Sequence, residues 1–309
     1  MLNMLQKRAL PTPLKIAASG MLLALLVPLQ PVSAQTVLEK IAKTGVFTAG
    51  TSKDAFPLAY ADDKGQLVGY SVDMLQLIKG QIEKELKRSV TLKLVALAPG
   101  ERIPKLQSGD VDIVCDSSSF TWERDKLIDF SVSYGITGTR LLIKRGTALA
   151  GPESLVGKRI GALPKTTNED SIRRVQPKAQ IVLFKDRAEG YKALQDGTID
   201  GFAGDGLLLE GWLQKTANKN FQVDGYPYSK EGVACMVPEN NSRLLDRTNY
   251  ALLSFMQGFV KNKPSSVAVF DKWFGPNSTV PLSQDLRGLV KESMQSILDF
   301  REEIPDSNL

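Results

Sequence analysis

From residue 46 onward the spacing of hydrophobic positions switches repeatedly between a period of two and a period between three and four. The apolar stretch over residues 46–49, entered from a turn at Thr44-Gly45, reads as a strand. Asp62-Asp63-Lys64-Gly65 is a turn leading into Leu67-Val68-Gly69-Tyr70. Val72, Leu75, Ile78, Ile82 and Leu86 then mark one apolar face of a helix. Residues 90–95 alternate as a strand, 103–107 form a short helix, and 111–114 form a buried strand. Further along, 232–237 reads as another apolar strand, followed by helices over 242–260 and 265–273. Strands alternating with helical patterns predict an α/β fold.

The pattern also repeats. Leu106-Gln107-Ser108-Gly109-Asp110-Val111-Asp112 returns as Leu194-Gln195-Asp196-Gly197-Thr198-Ile199-Asp200. Each copy is a helix end, a glycine just past it and a strand. Each strand runs into a polar cluster, Asp116-Ser117-Ser118-Ser119 in the first copy and Gly204-Asp205-Gly206 in the second. Open α/β sheets bind ligands at the carboxyl ends of their strands. Two lobes facing each other would therefore bring both clusters to one cleft. The first lobe is expected to end near Tyr134, with Gly135–Gly138 as a hinge and Lys230–Gly232 as the return crossing. That predicts lobe 1 as residues 35–136 plus 232–309, and lobe 2 as residues 137–231. Two crossings restrict motion to hinge closure around a ligand.

Composition removes much chemistry. Among 309 residues there is no histidine and there are two cysteines. Histidine-dependent triads, HExxH metalloprotease sites and most zinc sites are thereby excluded, as are four-cysteine metal sites. The net charge of +5 is concentrated at the start. Residues 1–34 hold Lys7, Arg8 and Lys15, no acid, an apolar run over 16–29 and then Val32-Ser33-Ala34. This reads as a secretory signal peptide, the apolar run being short for a membrane span. Removing it leaves 36 basic and 34 acidic residues (39 less three against 34). The remaining charges are interleaved, as at Glu83, Lys84, Glu85, Lys87 and Arg88, which suits a solvated helix face and no nucleic-acid partner. An exported, soluble, periplasmic monomer is expected. In an oxidising compartment Cys115 and Cys235 would pair, the alternative being two buried thiols.

In order and spacing, several motifs resemble the polar amino-acid-binding proteins of ABC importers, bacterial solute-binding protein family 3. They are Gly69-Tyr70-Ser71-Val72-Asp73, the run from Leu106 to Ile113, Ser117-Ser118-Ser119, Glu123-Arg124, Asp129-Phe130-Ser131 and Phe270-Asp271-Lys272-Trp273-Phe274. Glu101-Arg102-Ile103-Pro104, Gly138-Thr139-Arg140-Leu141-Leu142 and both cysteine positions resemble the glutamate/aspartate-binding branch. The resemblance spans about 37–274 and implies a type II periplasmic binding protein fold: two lobes, each a mixed sheet flanked by helices, joined by two hinge crossings. It implies no cofactor and no catalysis, and a membrane permease as the partner receiving the closed form.

Carried over by position, the resemblance gives Arg124 the ligand α-carboxylate through a planar bidentate fork. Ser119 adds a hydroxyl. Thr166 and Thr167 offer donors at a helix start, and Asp205, helped by Ser117, accepts from the α-ammonium. Arg102 stands where the acidic branch places an arginine for a distal carboxylate. The sequence departs from that branch at Ser52 (an arginine there), at Pro99 (a serine) and at Arg187 (a histidine). Lys53 could replace the lost cation. Arg102, Arg187 and Lys53 together would favour glutamate or aspartate by charge complementarity. Phe56, in the Phe56-Pro57-Leu58 loop, lines the pocket or belongs to the core. Taken alone, Arg124 could instead pair with Glu123 or Asp125, Asp205 could be a turn residue, and Arg187 could be a solvated neighbour of Asp186.

Rival functions are few. Gly161-Ala162-Leu163-Pro164-Lys165-Thr166 suggests a phosphate loop, but Pro164 stands where that motif needs glycine and offers no N–H. No G-x-S-x-G elbow occurs. A dehydratase of prephenate- or arogenate-like cyclic acids on the same fold, or a sensing module for a signalling receptor, remain as alternatives.

Overall fold

The computed structural model describes residues 35–305; the expected signal peptide lies outside the described residues. Helix α1 (Val37–Thr44) opens on a capping box, in which Thr36 and Glu39 each accept the other's main-chain N–H. The chain continues through β1 (Val46–Thr51), an arm of three short strands β2 (Asp54–Ala55), β3 (Ala59–Ala61) and β4 (Leu67–Val68), then α2 (Tyr70–Leu86). On α2 the apolar spacing does what it predicted: Val72, Leu75, Ile78 and Ile82 are buried. Next come β5 (Thr91–Ala96), α3 (Arg102–Gln107), β6 (Ile113–Val114), α4 (Trp122–Asp125), β7 (Asp129–Phe130) and β8 (Gly135–Thr137). The second half runs β9 (Thr139–Lys144), β10 (Arg159–Ala162), α5 (Thr167–Val175), β11 (Gln180–Leu183), α6 (Arg187–Gln195), β12 (Gly201–Asp205), α7 (Gly206–Thr216) and β13 (Phe221–Val223). The return passes through β14 (Glu231–Val233) and β15 (Met236–Val237) to α8 (Ser242–Val260), α9 (Pro264–Phe274) and α10 (Gln284–Leu298).

Two five-stranded mixed sheets result, ordered β5-β1-β6-β15-β7 and β11-β10-β12-β9-β13. Their plans match. In each, three neighbouring strands are parallel and the fourth is antiparallel. The sequence repeat sits at the third strand of both. Gly109 and Gly197 both close the preceding helix with positive φ, +74° and +73°, where a side chain would be strained. The aspartate ending each repeat then pins the neighbouring strand. Asp112 donates its N–H to the Thr48 carbonyl and accepts the Thr48 N–H on its carboxylate; Asp200 does the same with Arg159.

Both faces of each sheet are covered. In the first sheet Phe47, Ala49 and Ile113 face a large core with α2, α8 and α9, while Val114 and Met236 face a smaller one with Leu97, Leu106 and Ile128. Tyr70 anchors the large core, edge-on to Phe255, Phe270 and Phe274. In the second sheet Leu141, Ile143 and Ala203 face one side, and Leu142 and Phe202 the other.

Two readings change on detail. The expected strand over 232–237 is broken in two, because the Ala234 N–H goes to the Ser118 carbonyl and the Cys235 N–H to the Ser131 hydroxyl, outside any ladder. The strand expected over 111–114 keeps only its last two residues, since Val111 bonds back to the Lys105 carbonyl at the end of α3. The two crossings between the sheets, β8 and β14, pair as an antiparallel ribbon. At its exit Gly138 lies so close to the Ser229 carbonyl that a Cβ there would approach it to 2.1 Å. The Phe56-Pro57 peptide is cis.

Cys115 and Cys235 form a disulfide with a Cα–Cα distance of 4.4 Å and a sequence separation of 120 residues. It ties the end of β6 to the chain returning from the second sheet, closing a loop that contains that whole sheet. In the chain-entropy picture a loop of this size is worth about 2–5 kcal/mol. The double variant Cys115→Ser/Cys235→Ser should lose about that much in urea unfolding, and reduction should do the same to the native protein. Coincident oxidised and reduced unfolding curves would rule this out.

Candidate functional site

The parallel strands of both sheets end at one cleft. From the first sheet, β1 delivers Ser52 and β6 delivers Asp116, Ser117, Ser118 and Ser119; all five are buried. Asp116, fully buried, is the centre of a closed polar ring. Its carboxylate accepts from the Ser118 hydroxyl at 2.6 Å and the Ser52 hydroxyl at 3.1 Å. Those hydroxyls accept in turn from Nη1 and Nη2 of Arg102, at 3.3 and 3.0 Å. The Arg102 Nε lies 2.7 Å from Asp116 Oδ2, close as an ion pair although its N–H is not aligned as a hydrogen bond. The Asp116 carbonyl is held by the hydroxyls of Ser71 and Tyr134. The adjoining disulfide fixes the same turn.

Arg124 is treated differently. Thr121 caps the short helix that carries it. Its guanidinium donates to two main-chain carbonyls, Ser119 at 2.8 Å and, across the cleft, Lys165 at 3.2 Å. Among the described residues it has no ion pair with Glu123 or Asp125; Glu123 is taken by Lys126. Burial, and then the neighbouring Arg102, hold its pKa below the ordinary arginine value. Beside it the Ser119 hydroxyl is buried with no partner among the described residues. Arg102, Ser118, Arg124 and Lys165 line a hollow of about 400 Å³.

The second sheet contributes acids and a helix start. The Thr166 hydroxyl is occupied as the N-cap of α5, accepting from the Glu169 N–H and donating to the Leu163 carbonyl. The Thr167 hydroxyl donates to Glu231 at 2.6 Å, and the Ser229 hydroxyl donates to the same carboxylate. Asp205 ends β12 and is 3% exposed, with Oδ1 lacking any partner. Its carboxyl is pushed up to about 7, chiefly by burial; Arg187 and Arg102 pull it down, while Glu231 and Asp116 add to the rise. Arg187 is buried at the start of α6 and pairs with Asp54 of the β2–β4 arm, Nη1 to Oδ1, at 2.6 Å. Asp186 is instead the N-cap of α6. Burial opposes the Arg187 charge, but Asp54, with Tyr191, Asp205 and Asp116, outweighs it and lifts its pKa.

Thus Ser52, Arg102, Ser119 and Arg124 lie on one side and Thr167, Arg187 and Asp205 on the other, the sides joined by Arg124–Lys165 and Arg187–Asp54; Ser117 is buried in the chain next to Asp116. Lys53 is exposed, and Phe56 packs on Tyr60 and under the Lys215 ammonium. Three acids escaped sequence reasoning. Asp116 stood in a noted polar cluster, Glu231 in a noted crossing, and Asp54 beside a noted lysine, but nothing local ties any of them to an arginine.

Residues 47–276 match the sequence profile of the bacterial extracellular solute-binding proteins, family 3. The chain belongs to that family. Its relatives include the glutamate/aspartate import solute-binding protein of Salmonella typhimurium, 30% identical over 277 residues, 84% of this chain and 88% of the relative. Among solved structures, an ancestral arginine-binding protein bound to glutamine superposes with a TM-score of 0.67 at 27% identity, covering 75% of this chain and 98% of that one. An ancestral amino-acid-binding protein described as a precursor of cyclohexadienyl dehydratase gives a TM-score of 0.66 at 26% identity, covering 77% and 99%. Among the described residues no helix of this family-3 chain is long and apolar enough to cross a membrane.

Asp205 makes stability depend on pH. Its folded pKa of about 7 lies above the unfolded value of 3.8. The folded state therefore prefers the protonated form, and the stability this gives is full below about 4 and lost as pH rises through about 7. Asp205→Asn, neutral throughout, should stabilise the unliganded protein at pH 8 by up to about 4 kcal/mol, at about 1.4 kcal/mol per pH unit between the two values. At pH 5, little more than one unit above the unfolded value, the gain should fall to about 1.5 kcal/mol. Melting temperatures at the two pH values check this, and an equal effect at both would contradict it.

Proposed function

We propose that the chain is the periplasmic substrate-binding component of an ABC importer for an α-amino acid, which binds between the lobes and is handed to a membrane permease in the closed form. The observation that carries this reading is an uncompensated pair of opposite charges. Arg124 is held only by carbonyls, one from each side of the cleft, and Asp205 has a buried oxygen with no partner. A zwitterionic head group complements both: its carboxylate takes Arg124 and the Ser119 hydroxyl, and its ammonium takes Asp205. Thr167, at the start of α5, holds Glu231, which adds a second acid near the ammonium, and Ser117 is the further hydroxyl assigned to that end. Charge-assisted hydrogen bonds contribute roughly 1.5–3 kcal/mol each. Four of them, less ordering costs, are enough for micromolar binding, about −8 kcal/mol.

The Salmonella relative, named for glutamate and aspartate, supports an acidic side chain as one reading, with Arg102 and Arg187 as its receptors. Both arginines already have carboxylate partners, Asp116 and Asp54. The dehydratase reading draws on the precursor-like neighbour and on Asp205, an acid poised near neutrality, so prephenate and arogenate belong in the screen.

The purified chain should gain thermal stability from at least one of the twenty amino acids, because a ligand that binds only the native state raises Tm with saturation. Arg124→Ala should keep the circular dichroism spectrum and weaken binding at least 100-fold, about 2.7 kcal/mol. Binding undiminished in that variant, or a response to cyclic acids alone, would remove the importer reading.

A further inference from the structure

Resting on that head-group reading, the charges left over in the cleft define the side-chain subsite. The buried or half-buried charges named in the cleft are three guanidiniums, Arg102, Arg124 and Arg187, and four carboxylates, Asp54, Asp116, Asp205 and Glu231; Glu123, Lys165 and Asp170 line it from exposed positions, where water screens them. The ligand head takes Arg124 and Asp205, and Glu231, hydrogen-bonded by the Thr167 and Ser229 hydroxyls, lies with its charge at the ammonium end. What remains is Arg102 matched by Asp116 and Arg187 matched by Asp54. We propose that the side-chain subsite is neutral by construction and takes an amino acid with an uncharged hydrogen-bonding side chain, a carboxamide being the fitting group, while rejecting a second carboxylate.

The chemistry follows from burial. A ligand carboxylate reaching Arg102 would have to share it with a carboxylate that is 0% exposed, and two anions withdrawn from water around one cation repel. A ligand cation would face the same obstacle with the sign reversed. A carboxamide disturbs neither pair. The ring of Ser52, Arg102, Asp116 and Ser118 offers it donors and acceptors together, since each guanidinium Nη and each serine hydroxyl can hold more than one hydrogen bond. The second pair adds selectivity of another kind. Arg187 joins α6 to Asp54 on the arm of the opposite lobe, so a ligand that drew either group away would loosen a contact between the lobes.

Isothermal titration at pH 7.5 with glutamine, asparagine, glutamate, aspartate and arginine tests the assignment. An amide should bind at least ten-fold more tightly than its acid counterpart and more tightly than arginine. Glutamate or aspartate binding as well as its amide, or arginine binding best, would overturn the proposal and leave the head-group reading intact; binding of no amino acid would overturn both. Asp116→Asn, which strips Arg102 of its counter-charge, should shift the amide-to-acid affinity ratio at least ten-fold toward the acid. Asp54→Asn, at a half-buried position, should do the same through Arg187 and serves if the first variant does not fold. A ratio unchanged in the folded variants would defeat the idea.

Discussion

Charge withdrawn from water has to be matched, and the cleft of this protein is arranged by that requirement. An isolated ionised group in an apolar interior is so costly that it is paired, hydrogen-bonded or neutralised. Each outcome occurs here. Arg102 and Asp116 are paired and enclosed by two serines. Glu231 is hydrogen-bonded by hydroxyls. Asp205 has one oxygen with no partner among the described residues, and burial moves its carboxyl toward the neutral form. Of the charged groups named in the cleft, Arg124, held by carbonyls, and Asp205, with an unpartnered oxygen, keep interaction unspent, and they come from different lobes. On the proposed function, the binding groups are the ones the fold leaves unsatisfied.

That arrangement depends on the scaffold. Two sheets of the same plan aim their parallel strands at one gap, and the repeated glycine–aspartate element sets the third strand of each. The disulfide beside Asp116 and the Ser71 and Tyr134 hydroxyls on its carbonyl hold the acid against the arginine. A buried ion pair is stable only where geometry is enforced, and here it is enforced covalently on one side and by the aromatic core on the other.

Most of the architecture was readable from periodicity. The face of α2, the extent of α8 and the repeat all follow from local spacing, which short-range rules capture. Arg124 and Asp205 were singled out through the family pattern and the ends of the repeated strands, and the structure shows them incompletely paired. The counter-charges were not, because pairing is a property of topology: Arg187 meets Asp54 from 133 residues away, and Arg102 meets Asp116 only once β6 lies beside β1. Helix α10 was also missed. Its apolar positions gain meaning only from the core that Met294 and Ile297 complete.

The β8–β14 ribbon has a mechanical side. Glu231 lies on one of its strands and is bonded by Thr167 at the head of α5. In a body bending about an axis, points on the axis hardly move and points far from it move most. If the lobes swing about this ribbon, Glu231 would keep its place, while the Arg124–Lys165 and Arg187–Asp54 contacts that join the lobes would open and shut. The amino end of a ligand would rest at the fulcrum, and its far end would work the jaws.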